Sequence, residues 1–221
     1  MMLSTFDGSH SIVFKADIKS ETELVNGIFR GSPSWRSDWV AVKDDNAQLA
    51  DPGNLTYIKD GYDVIEFSFP DIKGNIISLS DERFNNKAVI VQILGTWCPN
   101  CMDETNYLAQ LYDKYKDQDL EIIALCFELF EGEKANAAID RFQEHTKANY
   151  TFLHAGGANK KEAAKQLPML SKVISYPTAI FIGKDKKVHK IHTGFTGPGT
   201  GKHFEKLSKE FEEAIELMIK N

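Results

Sequence analysis

From residue 88 onward the apolar positions change period repeatedly, and that alternation lays out the chain. Val89-Ile90-Val91-Gln92-Ile93-Leu94 is a nearly unbroken run rich in β-branched residues that stops at Gly95, which predicts a buried strand over 88–94. Met102, Tyr107, Leu108, Leu111, Tyr112 and Tyr115 then recur near helical spacing, predicting a helix over 99–116. A strand over Leu120–Phe127 and a helix over 133–147 follow. Strand, helix and strand of these lengths require a parallel pair with a right-handed crossover. Further on, the pattern predicts a strand at Tyr150–His154, a short helix at Lys160–Leu167, and strands at 178–182 and Val188–Thr193 around a turn at Gly183-Lys184-Asp185. A C-terminal helix over 201–219 presents Ala214, Ile215, Leu217 and Met218.

The first 43 residues behave differently. Ser11–Ile18, Glu23–Arg30 and Arg36–Val42 read as three short strands separated by turn residues such as Asp7-Gly8 and Gly31-Ser32-Pro33, which predicts a small antiparallel β segment that either packs on the larger domain or is the end of a truncated β domain. Trp35 and Trp39 are read as packing residues of that segment. Residues 44–60, with Asp44-Asp45-Asn46 and Asp51-Pro52-Gly53-Asn54, hold no sustained period and read as a linker.

Composition narrows the function classes. At 221 residues and 42% hydrophobic content the chain can bury a sizeable core, as one large domain or one with a small partner. A net charge of −6 and the lack of a basic stretch argue against nucleic acid as a partner. No run of 18 apolar residues occurs, so no transmembrane segment is expected. Met1–Asp7 lacks the basic start and apolar core of a signal peptide.

The chemistry centres on Cys98-Pro99-Asn100-Cys101, directly after the strand that ends at Gly95. Pro99 suits a first helical turn, since its missing N–H would be unpaired there anyway, and this sets Cys98 at a helix N-terminus. Free backbone N–H groups and the helix dipole favour a thiolate at that point. Lowering a thiol pKa from about 8.5 to about 7 raises the ionised fraction at pH 7 more than tenfold. Cys101, one turn further in, is expected to be less exposed and close enough to resolve a mixed disulfide formed by Cys98. Trp97 would cover one side of the pair. A purely structural disulfide closing so short a loop would contribute little. Zinc would need a second ligand pair that Cys126 and six scattered histidines do not offer, and haem attachment would need His where Met102 stands.

Trp97-Cys98-Pro99-Asn100-Cys101 after a hydrophobic strand, with Tyr176-Pro177-Thr178 ahead of the strand Ala179–Ile182, resembles the thioredoxin superfamily, and more narrowly its TlpA/ResA-like thiol-disulfide oxidoreductases. Phe67–Leu79 is similar to the β-hairpin that starts the domain in that family. The resemblance covers roughly 61–221. It implies an α/β, thioredoxin-like three-layer fold with a central mixed sheet, an N-terminal β-hairpin and an inserted α/β element, here 150–167. It also implies a cis Pro177 facing the cysteines, with the Tyr176 backbone pairing to substrate, so Trp97, Pro99, Tyr176 and Pro177 are the expected substrate-binding residues. No cofactor beyond a redox-active Cys98–Cys101 disulfide is implied. Partners implied are cysteine-containing proteins and a membrane thiol donor, in a bacterial periplasm or cell envelope. Since the chain shows no export signal, it reads as a piece of a longer precursor.

One position departs from the family. The proton acceptor that thioredoxin places on the strand before the motif is replaced by Gln92, which cannot titrate. Glu128, at the end of the 120–127 strand, is similar to the acidic residue that TlpA/ResA-like proteins keep near their cysteines, and is the expected acceptor; Glu131 and Glu133 are neighbouring candidates. Cys126 is expected to be a buried hydrophobe. Thiol-disulfide oxidoreduction, in the reductase direction, is the leading function. A non-catalytic binding module is the main alternative. A peroxiredoxin-like peroxidase fits poorly, because Val91 and Gly95 stand where Pro and Thr or Ser are wanted.

Overall fold

The computed structural model describes residues 1–6, 11–31, 35–48 and 50–220. The chain divides into two compact units, Met1–Leu49 and Ala50–Asn221.

The first unit is a four-stranded antiparallel sheet in the order β1-β2-β3-β4, formed by β1 (Met2–Phe6), β2 (Ser11–Ser20), β3 (Glu23–Arg30) and β4 (Arg36–Val42). Three of these are the expected strands; β1 is additional, and its pairing with β2 extends the meander by one. Met2 and Leu3 stay exposed, so no apolar alternation marks β1 in the sequence. The turn residues Asp7, Gly8, Ser32 and Pro33 lie outside the described residues. Trp39 packs edge-on against Phe14 at 6.0 Å, and Trp35 against Phe29 at 5.0 Å. Gly27 lies opposite Trp39, where a Cβ would collide with the indole, so glycine is required for that close approach.

The second unit is built on a five-stranded mixed sheet in the order β11-β10-β7-β8-β9. β7 (Ala88–Leu94), β8 (Leu120–Glu128) and β9 (Thr151–Gly157) run parallel; β10 (Thr178–Ile182) is antiparallel to β7 and β11 (Val188–Thr193). β7 and β10 are buried at every residue. Side chains alternate between faces along a strand, so total burial requires cover on both. That cover comes from α1 (Pro99–Tyr115), α2 (Gly132–Thr146), α3 (Lys160–Gln166) and α4 (Lys202–Lys220). The result is the expected mixed α/β arrangement, with the hairpin β5 (Ser68–Pro70) and β6 (Ile76–Ser78) ahead of it and β9–α3 inserted before β10. None of the helices of the described residues is long and apolar enough to cross a membrane.

The stretch expected as a linker over 44–60 is corrected in its second half. Residues 50–60 belong to the second unit: Lys59 N–H donates to Met169 O at 2.9 Å, Ser171 N–H to Tyr57 O at 2.8 Å, and Ile58 bridges Leu170. Backbone hydrogen bonds to a distant segment leave no periodic signature, so composition alone read this stretch as loose.

The core centres on aromatic side chains between the sheet and α4. Phe211 is fully buried, edge-on to Phe181 at 4.8 Å and to His192 at 5.4 Å. Phe211→Ala should cost about 3–5 kcal/mol through lost burial and the cavity left behind. Thermal unfolding should show a midpoint about 10 °C lower; an unshifted midpoint would contradict this packing.

Candidate active site

The site forms where β7 ends and α1 begins. Pro99 occupies the first helical position and Cys98 is the N-cap, its sulfur accepting the Cys101 N–H at 3.3 Å. Its own N–H donates to Gly95 O at 3.0 Å. The thiol also donates to the Tyr176 carbonyl at 3.5 Å. Cys98 is 8% exposed and Cys101 fully buried. The Cys98 thiol is held below its ordinary pKa, first by a hydrogen bond from the Cys101 side chain, and further by the N–H groups of Cys101 and Asn100 and the charge of Lys160 at the start of α3; burial works against these. Cys101 is pushed strongly upward by burial and by its hydrogen bond to Cys98. The two sulfurs therefore sit in opposite electrostatic environments one helical turn apart.

The cap is braced from β8. Glu128 is buried, its Oε1 accepting the Thr96 N–H at 3.0 Å and its Oε2 the Thr96 hydroxyl at 2.7 Å. Trp97 donates its indole N–H to Phe127 O at 3.0 Å and meets the Tyr176 ring edge-on at 5.6 Å. Gly95 permits this fold-back, because a Cβ there would collide with the Trp97 indole. The Tyr176–Pro177 peptide bond is cis. Trp97, Pro99, Tyr176 and Pro177 thus stand in the two segments that meet at Cys98. Cys126 is fully buried on β8 opposite Leu94, its thiol pushed well up by burial.

Glu128 is committed to Thr96 through both oxygens. The carboxylate that bears on Cys101 is another one, which sequence reasoning missed: Glu104, one turn after Cys101 on α1 and fully buried. Its Oε2 accepts from Gln92 Nε2 at 2.8 Å, while its Oε1 is buried without a hydrogen-bond partner. Burial raises its pKa, the Gln92 hydrogen bond opposes this, and the Cys98 charge raises it again, leaving it pushed up to about 8. A signal was available. Cys101, Glu104, Thr105, Leu108 and Leu111 follow the i, i+3, i+4, i+7 spacing, which sets a carboxylate on the buried stripe of an otherwise amphipathic helix.

Glu128→Ala should destabilise the fold by about 1–3 kcal/mol, since it leaves the half-buried Thr96 N–H and hydroxyl without their acceptor. The pH midpoint for alkylation of Cys98 should stay where it is in the parent protein. A shifted midpoint would show that Glu128 acts on the thiol itself.

The AhpC/TSA family matches residues 61–191, which takes in the hairpin, both cysteines and the strands through most of β11. Among curated proteins, the thiol-disulfide oxidoreductase ResA of Halalkalibacterium halodurans is 28% identical over 134 residues, covering 61% of this chain and 68% of that protein. ResA of Bacillus subtilis is 30% identical over 137 residues, covering 62% and 69%. Among solved structures, a thioredoxin-family thiol:disulfide interchange protein from Chlorobium tepidum TLS superposes with a TM-score of 0.53 at 16% identity, covering 73% of this chain and 99% of that one, a likeness of fold. The chain spans about two-thirds of the length of these curated relatives, and the family match over 61–191 lies in the unit that holds the cysteines. The chain belongs to the AhpC/TSA family within the thioredoxin superfamily, as an oxidoreductase related to the ResA thiol-disulfide enzymes.

Proposed function

We propose that this protein reduces disulfides in other proteins, with Cys98 as nucleophile, Cys101 as resolving thiol and Glu104 as proton acceptor. The observation that carries the reading is the asymmetry of the two thiols: one at a helix cap and held low, the other buried behind it and held high.

The Cys98 thiolate attacks one sulfur of a substrate disulfide; a Cys98–substrate bond forms, the substrate S–S bond breaks, and the released substrate thiolate takes a proton from water. Cys101 then gives its proton to the Glu104 carboxylate and attacks the Cys98 sulfur. The Cys98–Cys101 disulfide forms, the second substrate sulfur leaves as a thiolate that takes a proton from water, and two electrons have passed to substrate. The order of events is favoured by charge. A Cys98 thiolate adds to the burial that raises Glu104, and its consumption in the mixed disulfide removes that charge, so Glu104 ionises more readily and is available to accept a proton when Cys101 gives one up. Glu128 takes the role of anchoring Thr96, in place of the acceptor role expected from sequence.

The reductase direction is supported by how Cys98 is stabilised. A strong oxidant needs a heavily stabilised reduced form. Here the stabilising hydrogen bonds are opposed by burial, and Lys160 contributes least. Electrons would come from a membrane thiol donor in a bacterial envelope compartment, and no cofactor beyond the cysteine pair is needed. A peroxidase is disfavoured by Val91 and Gly95, which offer no side-chain polar group near the thiol.

Equilibration against glutathione or dithiothreitol buffers tests the direction. The Cys98–Cys101 couple should lie near or below about −250 mV, close to thioredoxin. A value near about −120 mV would mark an oxidant and overturn the direction.

A further inference from the structure

Gln92 sits in the middle of β7, fully buried, where every neighbour in the strand is aliphatic. A buried primary amide is costly unless all its groups are paired, and this one is. Nε2 donates to Glu104 Oε2 at 2.8 Å and to Thr105 Oγ1 at 3.1 Å. Oε1 accepts from the Thr105 hydroxyl at 3.2 Å and from the Tyr150 hydroxyl at 3.3 Å. The Thr105 hydroxyl meets both ends of the amide, so it does not choose between the amide's two orientations. Tyr150 and an ionised Glu104 do choose: the first donates and the second only accepts, so oxygen faces Tyr150 and NH2 faces Glu104. Tyr150 is itself fixed, its ring stacked on Phe152 at 5.1 Å and edge-on to Tyr112 at 5.9 Å.

We propose that Gln92, oriented by Tyr150, is the positioning residue for the proton transfer from Cys101: it holds Oε2 of Glu104 and keeps Oε1 as the oxygen open to the thiol proton. This rests on the reading of Glu104 as proton acceptor. The amide supplies the charge-assisted donor that makes a fully buried carboxylate usable as a base, and being neutral it adds no competing titration. The titratable groups that bear on Glu104 or its network are Cys98 and Cys101 at the start of α1 and Tyr150 ahead of β9; Cys126 on β8 bears in turn on Tyr150.

The test separates attack from resolution. The reduced protein is mixed with dithionitrobenzoate in a stopped-flow instrument between pH 5 and 10: attack by Cys98 releases one thionitrobenzoate and leaves the other on its sulfur, and attack by Cys101 releases the second. Gln92→Leu should slow the second release about tenfold at pH 7, the loss expected of one hydrogen bond to a charged group, and should approach the parent rate in alkali. Tyr150→Phe keeps the stacked ring and should slow the second release in the same direction by a smaller factor, about threefold. The first release should be unchanged in both. If Glu104→Gln flattens the pH profile of the second release while Gln92→Leu and Tyr150→Phe retain the parent profile, Glu104 is the base and the role given to Gln92 is wrong. If Glu104→Gln itself keeps the parent profile, the reading of Glu104 fails, and the inference with it.

Discussion

Cys98→Ser should abolish insulin disulfide reduction, a loss of about a thousandfold or more, because a serine hydroxyl is not ionised at neutral pH and cannot form the mixed disulfide. The capping position magnifies the effect. The backbone N–H groups that stabilise a sulfur anion at the start of α1 have little to act on in a neutral hydroxyl. Cys101→Ser should fail in a different way. Its Cys98 would still attack, since the cap N–H groups remain and a serine hydroxyl can donate in place of the second thiol, but the product would stall as a covalent adduct. Intact mass under non-reducing conditions should show Cys101→Ser joined to substrate and Cys98→Ser unmodified. Equal insulin reduction by Cys98→Ser and the parent protein would remove the basis for calling the cysteine pair catalytic.

The second large effect concerns Glu104, and it appears in stability as well as in turnover. Its carboxyl is raised in the folded state from 4.5 to about 8, mainly by burial. A group whose folded pKa lies above its unfolded value contributes stability fully below the unfolded value, and that contribution is lost as pH rises through the folded one. The parent protein should therefore lose up to about 5 kcal/mol between pH 4.5 and about 8 from this residue. Glu104→Gln should remove that slope, so the variant should match the parent near pH 4.5 and exceed it at pH 9. His192 acts with the opposite sign. Burial lowers it from 6.5 to about 4, so its contribution is present above 6.5 and fades as pH falls through 4. The two slopes offset each other between about 4.5 and 6.5. Denaturant unfolding of both proteins at pH 5, 7 and 9 reads this directly. The same substitution should slow resolution of the mixed disulfide at neutral pH, giving a more stable and less active protein. A variant no more stable than the parent at pH 9 would mean that Glu104 is not held uncharged in the native state.

Most of the second unit was legible in the sequence because its elements are fully buried, and full burial writes a dense apolar pattern. β7, α1, β8, α2, β10, β11 and α4 fall within a residue or two of the expected limits. β9 runs to Gly157, three residues past the expected end at His154, since Ala155-Gly156-Gly157 carries no side-chain signal for a strand. What was missed shares one physical character: it depends on groups distant in the chain. β1 is held by its ladder with β2, and residues 50–60 by hydrogen bonds to 168–171. At the site, the cysteines and the Tyr176-Pro177 segment stood out as motifs. Glu104 did not, because a single acidic residue in a helix usually faces water. Gln92 stands out in the sequence as a gap where an acid is wanted, and the structure places a buried carboxylate, Glu104, within hydrogen-bond reach of it on the facing helix.

The indole of Trp97 is pinned by its hydrogen bond to Phe127 and lies against Tyr176, one residue from Cys98. That makes the ring an optical probe of the site's oxidation state. A thiolate and a disulfide quench an adjacent excited indole to different degrees, and a substrate covalently joined at Cys98 would alter its solvent exposure. The other two tryptophans, Trp35 and Trp39, belong to the first unit, so replacing both with phenylalanine would leave one emitter, at the cysteines. Each turnover could then be followed as light from the protein itself, without a labelled substrate.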